Sequence, residues 1–170
     1  MVIDKIMEQL KSIKYGWMDK NGNKHTKVDD SFSSDYILET PEEVIKNKIG
    51  VCWDQVELER FLFEKENIPV KTYFIVHYDN KNCPTHTFLT YEKDGKHYWF
   101  EHSWEIFEGI HEYESEQELL LDVRSKFIEN ELNDDYVFEN ICLHEYEKPN
   151  FHLTVQEFYK HCDDGKYIEI

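Results

Sequence analysis

The chain has 170 residues, of which 40 % are hydrophobic and 15 % are aromatic. This is enough apolar material to fill one core, so we expect a single domain over residues 1–170. Acidic residues outnumber basic ones by 36 to 19, which gives a formal net charge of −17 at pH 7. Because binding to phosphate groups requires a cationic face, this charge argues against nucleic acid and against an anionic membrane surface as partners.

The amino terminus and the cysteines indicate the compartment. Residues 1–8 carry a charge every few positions and lack the apolar run of a secretory signal. No other stretch is long enough to span a bilayer. The four cysteines are far apart and form no CxxC pair, so their spacing predicts neither a disulfide framework nor a metal site, and we expect no cofactor. Together these features favour a cytoplasmic protein.

The first forty residues are predicted to contain a helix and a hairpin. Apolar residues at helical spacing predict a helix over residues 2–13. The dipeptide Asn21-Gly22 is typical of a type I′ turn and predicts a hairpin around it. Residues 29–35 are expected to form a loop because of their Asp and Ser content.

Two helices are predicted next in the chain. The run Thr40-Pro41-Glu42-Glu43 combines an N-cap, a proline and a glutamate, which is typical of a helix start, and Gly50 is expected to end that helix. A second helix is predicted from Cys52 to about Asn67, where Pro69 follows. Its broad apolar face indicates that this helix is buried.

The second half of the chain alternates between strands and helices. Strands are predicted over residues 70–77, 86–91 and 97–101, and Asp94-Gly95 predicts a tight hairpin between the last two. A capping box at Ser115 predicts a helix to about residue 132, and Thr154 is predicted to cap a further helix. Two further strands are expected, and they cover residues 136–143 and 167–170.

Cys52 is the residue with the clearest chemical potential. It follows a glycine turn and stands at the start of a predicted helix. Backbone N–H groups and the positive end of the helix dipole stabilise a thiolate at such a position, and the thiolate is the nucleophilic form. The ordinary alternative is a cysteine that is simply buried in the core.

Acyl chemistry by a thiol needs an imidazole and a group that orients the imidazole. Cys52, His86 and Glu101 supply these groups in chain order. If Asp94-Gly95 is a two-residue loop, Phe88 lies opposite Glu101, and the side chains of His86 and Glu101 lie diagonally on the same face of the hairpin.

The third member of this set depends on the register of the hairpin. A three-residue loop would shift the pairing by one position and would bring His102 to the face of His86 in place of Glu101. The Asp94-Gly95 signal favours the two-residue loop and therefore Glu101. His102 is the alternative.

The run from Glu39 to Trp104 resembles the transglutaminase-like core, which is a papain-like arrangement of cysteine, histidine and acid. The motifs that carry the resemblance are Thr40-Pro41-Glu42-Glu43-Val44-Ile45, Gly50-Val51-Cys52-Trp53-Asp54, Glu66-Asn67-Ile68-Pro69-Val70, His86-Thr87-Phe88 and Tyr98-Trp99-Phe100-Glu101. The resemblance implies an α+β fold in which a helix with a capped N terminus carries the cysteine and packs on an antiparallel β-sheet.

The resemblance also implies roles for individual residues. Cys52 would be the nucleophile, His86 the general base and acid, and a residue on the following strand the third member. This third member is most often an aspartate in the family, whereas this chain has Glu101. An aromatic or glutamine side chain upstream of the cysteine often donates to the oxyanion, and Trp17 and Tyr36 are the candidates here, with the Cys52 backbone N–H as another donor.

The implied function is cysteine-dependent acyl transfer or amide hydrolysis. The Cys52 thiolate would attack an amide or ester carbonyl, and His86 would protonate the leaving group. Release by water would make the protein a protease or deamidase, whereas capture by an amine would make it a transamidase. The expected partners are therefore a peptide or protein amide and, for transamidation, an amine acceptor.

Two other hypotheses are compatible with the sequence. The chain could be a catalytically inactive, transglutaminase-like binding module, because a fold does not imply a function. The histidines and two of the cysteines could also form a metal site, although no short-spaced ligand pair supports one. The residues concerned are His77, His86, His97, His102, His111, Cys52 and Cys83.

Overall fold

A computed structural model describes residues 1–170. The helices are α1 (Val2–Leu10), α2 (Phe32–Asp35), α3 (Pro41–Asn47), α4 (Cys52–Lys65), α5 (Glu116–Glu131) and α6 (Val155–Asp163). The strands are β1 (Lys14–Tyr15), β2 (Trp17–Met18), β3 (Lys24–His25), β4 (Ile49–Gly50), β5 (Val70–His77), β6 (Thr85–Lys93), β7 (Lys96–Glu101), β8 (Gly109–Tyr113), β9 (Ile141–Glu145) and β10 (Lys166–Ile168). None of these helices combines the length and the apolarity that crossing a membrane requires.

The centre of the fold is a six-stranded antiparallel sheet with the strand order β10-β9-β5-β6-β7-β8. Two small sheets accompany it, the parallel pair β1-β4 and the antiparallel pair β2-β3. The mixture of helices with an antiparallel sheet agrees with the predicted α+β class.

The two faces of the large sheet are covered by different helices. One face and helix α4 share the larger hydrophobic cluster, which includes Leu89, Phe100 and Phe63. The other face packs against α5, and that cluster includes Phe88 and Trp99. Successive residues of a strand point to opposite faces, so β6 and β7 contribute alternately to the two clusters.

Helix α4 is buried along most of its length, as predicted. The burial is not limited to apolar residues, because every position from Cys52 to Arg60 is less than a tenth exposed. Glu57 and Arg60 form an ion pair with a distance of 2.8 Å inside this region. The helix therefore lies between the sheet and its neighbours and has no charged face in solvent over its first two turns.

Helix α3 begins as the sequence predicts. The hydroxyl of Thr40 accepts the N–H of Glu43, and the Glu43 carboxylate accepts the N–H of Thr40, which completes a capping box. The helix ends at Lys48, which adopts the left-handed conformation with φ 55°. The prediction that Gly50 ends the helix is wrong by two residues, because Lys48 itself takes the C-terminal turn.

The first hairpin differs from the prediction. Met18 pairs with Lys24, so five residues lie between β2 and β3 and no two-residue turn forms at Asn21-Gly22. The Asp19 carboxylate accepts the backbone N–H groups of Asn21 and Asn23. A side chain thus replaces the type I′ turn that the dipeptide suggested.

Candidate active site

The thiol of Cys52 stands at the first position of α4. The N-cap residue is Val51, whose side chain has no acceptor, so a side-chain N-cap on this helix is not confirmed. Instead, Oδ2 of Asp54 accepts the backbone N–H of Val51 at 3.0 Å. This contact fixes the turn that leads into the thiol.

Asp54 is completely buried and belongs to a small polar network. Its Oδ1 accepts the Tyr36 hydroxyl at 2.8 Å and the Glu39 N–H at 3.0 Å. Burial, together with the nearby Glu39 carboxyl, raises the pKa of Asp54 to about 8, although its three donors oppose the shift. Sequence reasoning missed this residue because a charged residue one turn into a helix is normally assigned to the surface.

His86 and Glu101 are in direct contact. Leu89 pairs with Phe100, and Asp94 and Gly95 both have positive φ, so the predicted two-residue loop and its register are confirmed. The side chains of His86 and Glu101 lie on the same face, and His86 Nε2 is 2.8 Å from Glu101 Oε2. Because Nε2 contacts Glu101, Nδ1 is the ring nitrogen of His86 that can interact with a thiol.

The Glu101 carboxylate is held by donors on both oxygens. Oε2 also accepts the Trp99 indole N–H at 3.2 Å, and Oε1 accepts the Ser103 hydroxyl and the Trp104 N–H at 3.1 and 2.9 Å. Burial alone would raise the pKa of Glu101, but His86 and these donors outweigh it, so the pKa lies below its usual value. Glu101 is therefore a fixed anion beside the imidazole.

The charge state of His86 follows from its neighbours. Burial alone would lower the pKa of His86, but the Glu101 carboxylate and the neighbouring Cys52 thiol raise it to about 10. The ring also packs against Trp104, with ring centroids 4.7 Å apart. At neutral pH the ring is an imidazolium, which is the partner that a thiolate requires.

Cys52 and His86 approach from opposite faces of the sheet. Cys52 belongs to the cluster on the α4 face, whereas the His86 ring stacks on Phe88 of the α5 face. Strand β7 ends at Glu101, opposite Phe88, so no strand flanks His86 on that side. The Cys52 thiol lies near enough to His86 at this end of the sheet to contribute to the raised pKa of the imidazole.

The other candidate residues have different partners. His102 points away from His86, and its Nδ1 lies 2.6 Å from Oε1 of Gln55 on α4. The indole N–H of Trp17 donates to the Lys27 carbonyl at 2.9 Å, and the Tyr36 hydroxyl donates to Asp54. The structure therefore does not bring His102, Trp17 or Tyr36 to the thiol with a free polar atom.

A cleft with a volume of about 540 Å³ opens in front of Cys52. The thiol forms part of its wall although the residue is only 5 % exposed. The charged residues of the lining are three carboxylates and one lysine, namely Asp29, Asp30, Glu131 and Lys81. Its aromatic residues are Tyr15, Phe32, Trp53 and Tyr159.

Tyr15 is the cleft residue that sequence reasoning missed. It pairs with Gly50 in the parallel β1-β4 sheet, two residues before the thiol. Desolvation and the nearby Cys52 raise the pKa of the Tyr15 hydroxyl, although 46 % of the residue as a whole is exposed. The hydroxyl therefore stays protonated and can donate a hydrogen bond at neutral pH.

A family model described as a transglutaminase-like domain matches residues 3–131. The chain belongs to this family. No curated protein matches the sequence. The match to the transglutaminase-like family covers Cys52, His86 and Glu101, and it ends at Glu131, the cleft residue that closes α5. The predicted family resemblance is thus confirmed.

This transglutaminase-like chain contains no group of three His, Cys, Asp or Glu side chains arranged as a metal site. Of the residues in the metal-site hypothesis, His86 contacts Glu101 and His102 contacts Gln55. Cys52 and Cys83 are both free thiols.

Proposed function

We propose that this transglutaminase-like protein is a cysteine-dependent acyl-transfer enzyme with Cys52 as nucleophile, His86 as general acid and base, and Glu101 as the residue that orients His86. The observation that carries the proposal is the 2.8 Å contact between His86 Nε2 and Glu101 Oε2, and it is supported by the Cys52 thiol being among the groups that raise the pKa of His86. Three further donors hold the Glu101 carboxylate in place, where it can orient the His86 ring and stabilise its charged form, as the acid of a catalytic triad does.

The first half of the reaction acylates the enzyme. The Cys52 thiolate attacks the carbonyl carbon of an amide or ester, and a bond forms between Sγ and that carbon. The imidazolium of His86 then donates its proton to the leaving nitrogen or oxygen as the bond to the carbon breaks. Glu101 keeps the ring in place and stabilises its charged form throughout.

The second half releases the acyl group. Neutral His86 accepts a proton from the incoming water or amine, which attacks the thioester and regenerates the Cys52 thiolate. Water gives hydrolysis, as in a protease or deamidase, and an amine gives transamidation. The three carboxylates of the cleft outnumber its single lysine, which favours a cationic peptide or an amine in that space.

Two donors are available for the oxyanion that forms in both halves. One is the backbone N–H of Cys52 at the start of α4, where no residue within the helix can accept it. The other is the hydroxyl of Tyr15, which lines the same cleft. Tyr15 takes the place that the sequence suggested for Trp17 or Tyr36.

The proposal is tested by the rate of iodoacetamide labelling at each cysteine, read by mass spectrometry as a function of pH. Cys83 lines the same cleft but is exposed and serves as the internal standard, whereas Cys52 is buried in the cleft wall. If a thiolate–imidazolium pair exists, Cys52 labels faster than Cys83 at and below neutral pH despite its lower exposure. His86→Ala should remove this advantage.

His97→Ala is the matched control, because His97 lies on the same hairpin and outside the site. This variant should keep the labelling profile of the wild type. If Cys52 labels more slowly than Cys83 in all three proteins, the catalytic proposal fails. The alternative of an inactive binding module would then take its place.

A further inference from the structure

A hydrogen bond between His102 and Gln55 joins the two elements that carry Glu101 and Cys52. His102 directly follows Glu101 at the end of β7, and Gln55 lies one turn after Cys52 on α4. Nδ1 of His102 is 2.6 Å from Oε1 of Gln55. No other hydrogen bond connects the first turn of α4 with residues 101–104, so this contact is the one polar tie between the start of the helix and the end of the strand.

Gln55 extends this tie to the turn before the thiol. The residue is only 1 % exposed, and its Nε2 donates to the Gly50 carbonyl at 2.8 Å. The same carbonyl accepts the N–H of Gly16, which follows Tyr15, at 3.4 Å. A Cβ on Gly50 would lie 2.9 Å from Cβ of Asp54 and 3.4 Å from Cγ of Gln55, so the turn packs closely against the helix. The Gln55 side chain therefore holds the turn and the start of α4 together as one unit.

The direction of both hydrogen bonds follows from the groups involved. Because the Gly50 carbonyl can only accept, the Gln55 amide presents Nε2 to it and Oε1 to His102. Oε1 can only accept, so Nδ1 of His102 is the donor. Burial lowers the pKa of His102, so the ring is neutral at neutral pH and carries its single N–H at Nδ1. The residue at position 102 must therefore supply an N–H at this place.

This tie bears on the thiolate because Cys52 and His86 are held by different elements. His86 is positioned by Glu101 on the hairpin of β6 and β7, whereas Cys52 moves with α4. The attraction between a thiolate and an imidazolium falls as the two groups separate. The strength of the pair therefore depends on where the start of α4 lies relative to the end of β7.

We propose that His102 is a positioning residue for Cys52. Its Nδ1–H, acting through Gln55, holds the start of α4 at the distance from Glu101 at which the thiol pairs with His86. This role rests on the proposed function, because it concerns the pairing of the same cysteine and histidine. It differs from the role of third triad member that the hairpin register denies to His102, since His102 orients the nucleophile and not the imidazole.

The test compares the pH profile of iodoacetamide labelling at Cys52 with that at Cys83 in the wild type and in variants of His102. His102→Phe keeps a ring but has no N–H, so the Cys52 thiol should become a weaker acid and its labelling should shift toward alkaline pH by roughly one unit. Acylation by a p-nitrophenyl ester at neutral pH should slow by roughly tenfold or more. His102→Asn, whose amide can donate from nearly the same place as Nδ1, should restore the profile and the acylation rate of the wild type.

His161→Phe is the matched control. His161 is half-buried, as His102 is, and its Nε2 lies 2.7 Å from the carbonyl oxygen of Glu147, outside the cleft. The variant should lose a comparable hydrogen bond and keep the labelling profile of the wild type. Urea unfolding shows whether each variant is folded, and His102→Leu takes the place of His102→Phe if the latter is not.

The outcomes separate the role of His102 from the proposed function. If Cys52 of the wild type labels no faster than Cys83, the proposed function fails and the role of His102 fails with it. If the wild type has this advantage and His102→Phe keeps it over the same pH range, only the role of His102 is overturned. A shift that His102→Asn does not reverse, or that His161→Phe shares, would also overturn it, because the effect would then come from lost stability and not from the lost N–H.

Discussion

Oδ2 of Asp54 accepts the backbone N–H of Val51 at 3.0 Å, so a fully buried carboxyl group holds the residue that directly precedes the thiol. The same side chain receives the hydroxyl of Tyr36 and the N–H of Glu39 on its other oxygen. One carboxyl group thereby ties the chain before α3 to the start of α4. Its protonation bears on both the stability of the fold and the support of Cys52.

The first prediction concerns stability against pH. The pKa of Asp54 is about 8 in the folded protein and about 3.9 in an unfolded chain, so between these values the folded state holds the extra proton. The contribution of Asp54 to the free energy of unfolding therefore falls as pH rises through this window, by up to roughly 1.4 kcal/mol per pH unit. Urea unfolding of the wild type and of Asp54→Asn across pH 4 to 8 measures it. The difference in the free energy of unfolding between the wild type and Asp54→Asn should shrink as pH rises. A difference that stays constant would contradict the raised pKa of Asp54.

The second prediction concerns the charge on His86. In Glu101→Gln the imidazolium loses its carboxylate partner, so the pKa of His86 should fall from about 10 by roughly 1–3 units. Nuclear magnetic resonance of the imidazole protons measures it directly. Glu105 is exposed and follows β7, the strand that ends at Glu101, so Glu105→Gln should leave the pKa of His86 unchanged.

The same contact predicts a loss of stability at alkaline pH. The pKa of His86 is raised above its unfolded value of about 6.5, so its contribution is complete below that pH and is lost as pH rises toward about 10. Glu101→Gln should show a weaker pH dependence in this window. If the two proteins lose stability in parallel between these pH values, the ion pair does not contribute as described.

The hairpin that carries His86 and Glu101 could be predicted from the sequence because its turn has a strict local requirement. Both turn residues need positive φ, Asp94 and Gly95 meet that need at 52° and 76°, and the loop length then fixes which side chains share a face. The Asn21-Gly22 dipeptide predicted a two-residue turn of the same kind, and that prediction is wrong. There the Asp19 carboxylate offers the backbone N–H groups a different partner, and a dipeptide rule does not include such a neighbour.

Other parts of the site depend on contacts that no sequence pattern shows. Tyr15 reaches the cleft through a pair of two-residue parallel strands, which are too short to have a periodicity. Three acids of α4, Asp54, Glu57 and Glu59, are buried because this part of the helix is enclosed, whereas hydrophobic periodicity assigns charged positions to the solvent face. The strand β8 was also missed, and the strand predicted over residues 136–143 begins only at Ile141.

The third prediction separates the oxyanion from the nucleophile. Tyr15→Phe removes one proposed oxyanion donor and keeps the ring, so acylation of Cys52 by a p-nitrophenyl ester should slow by roughly 10²-fold or more. Alkylation by iodoacetamide forms no oxyanion and should proceed at the rate of the wild type. Tyr167→Phe, a change at an exposed residue on β10, should alter neither reaction. Equal slowing of acylation and alkylation would indicate a change in the thiol itself and would exclude the oxyanion role.

The fourth prediction concerns Gly16, which joins Tyr15 to Trp17 and links the strand at the thiol to the first hairpin. Its φ is 152°, and a Cβ there would lie 2.4 Å from the carbonyl oxygen of His25 and 2.6 Å from a methyl group of Ile49. The carbonyl belongs to the backbone and cannot move aside without opening the β2-β3 pair. Gly16→Ala should therefore destabilise the protein by roughly 2 kcal/mol or more and should also slow ester acylation, because the strand that places Tyr15 shifts with it.

Gly22→Ala is the matched control, since Gly22 also has a positive φ of 82° but no atom within 4 Å of the added methyl. This control should show only the backbone cost of about 1 kcal/mol with normal acylation. Urea unfolding and ester acylation of both variants measure the two effects, and equal losses in the two variants would mean that the close approach at Gly16 does not position Tyr15.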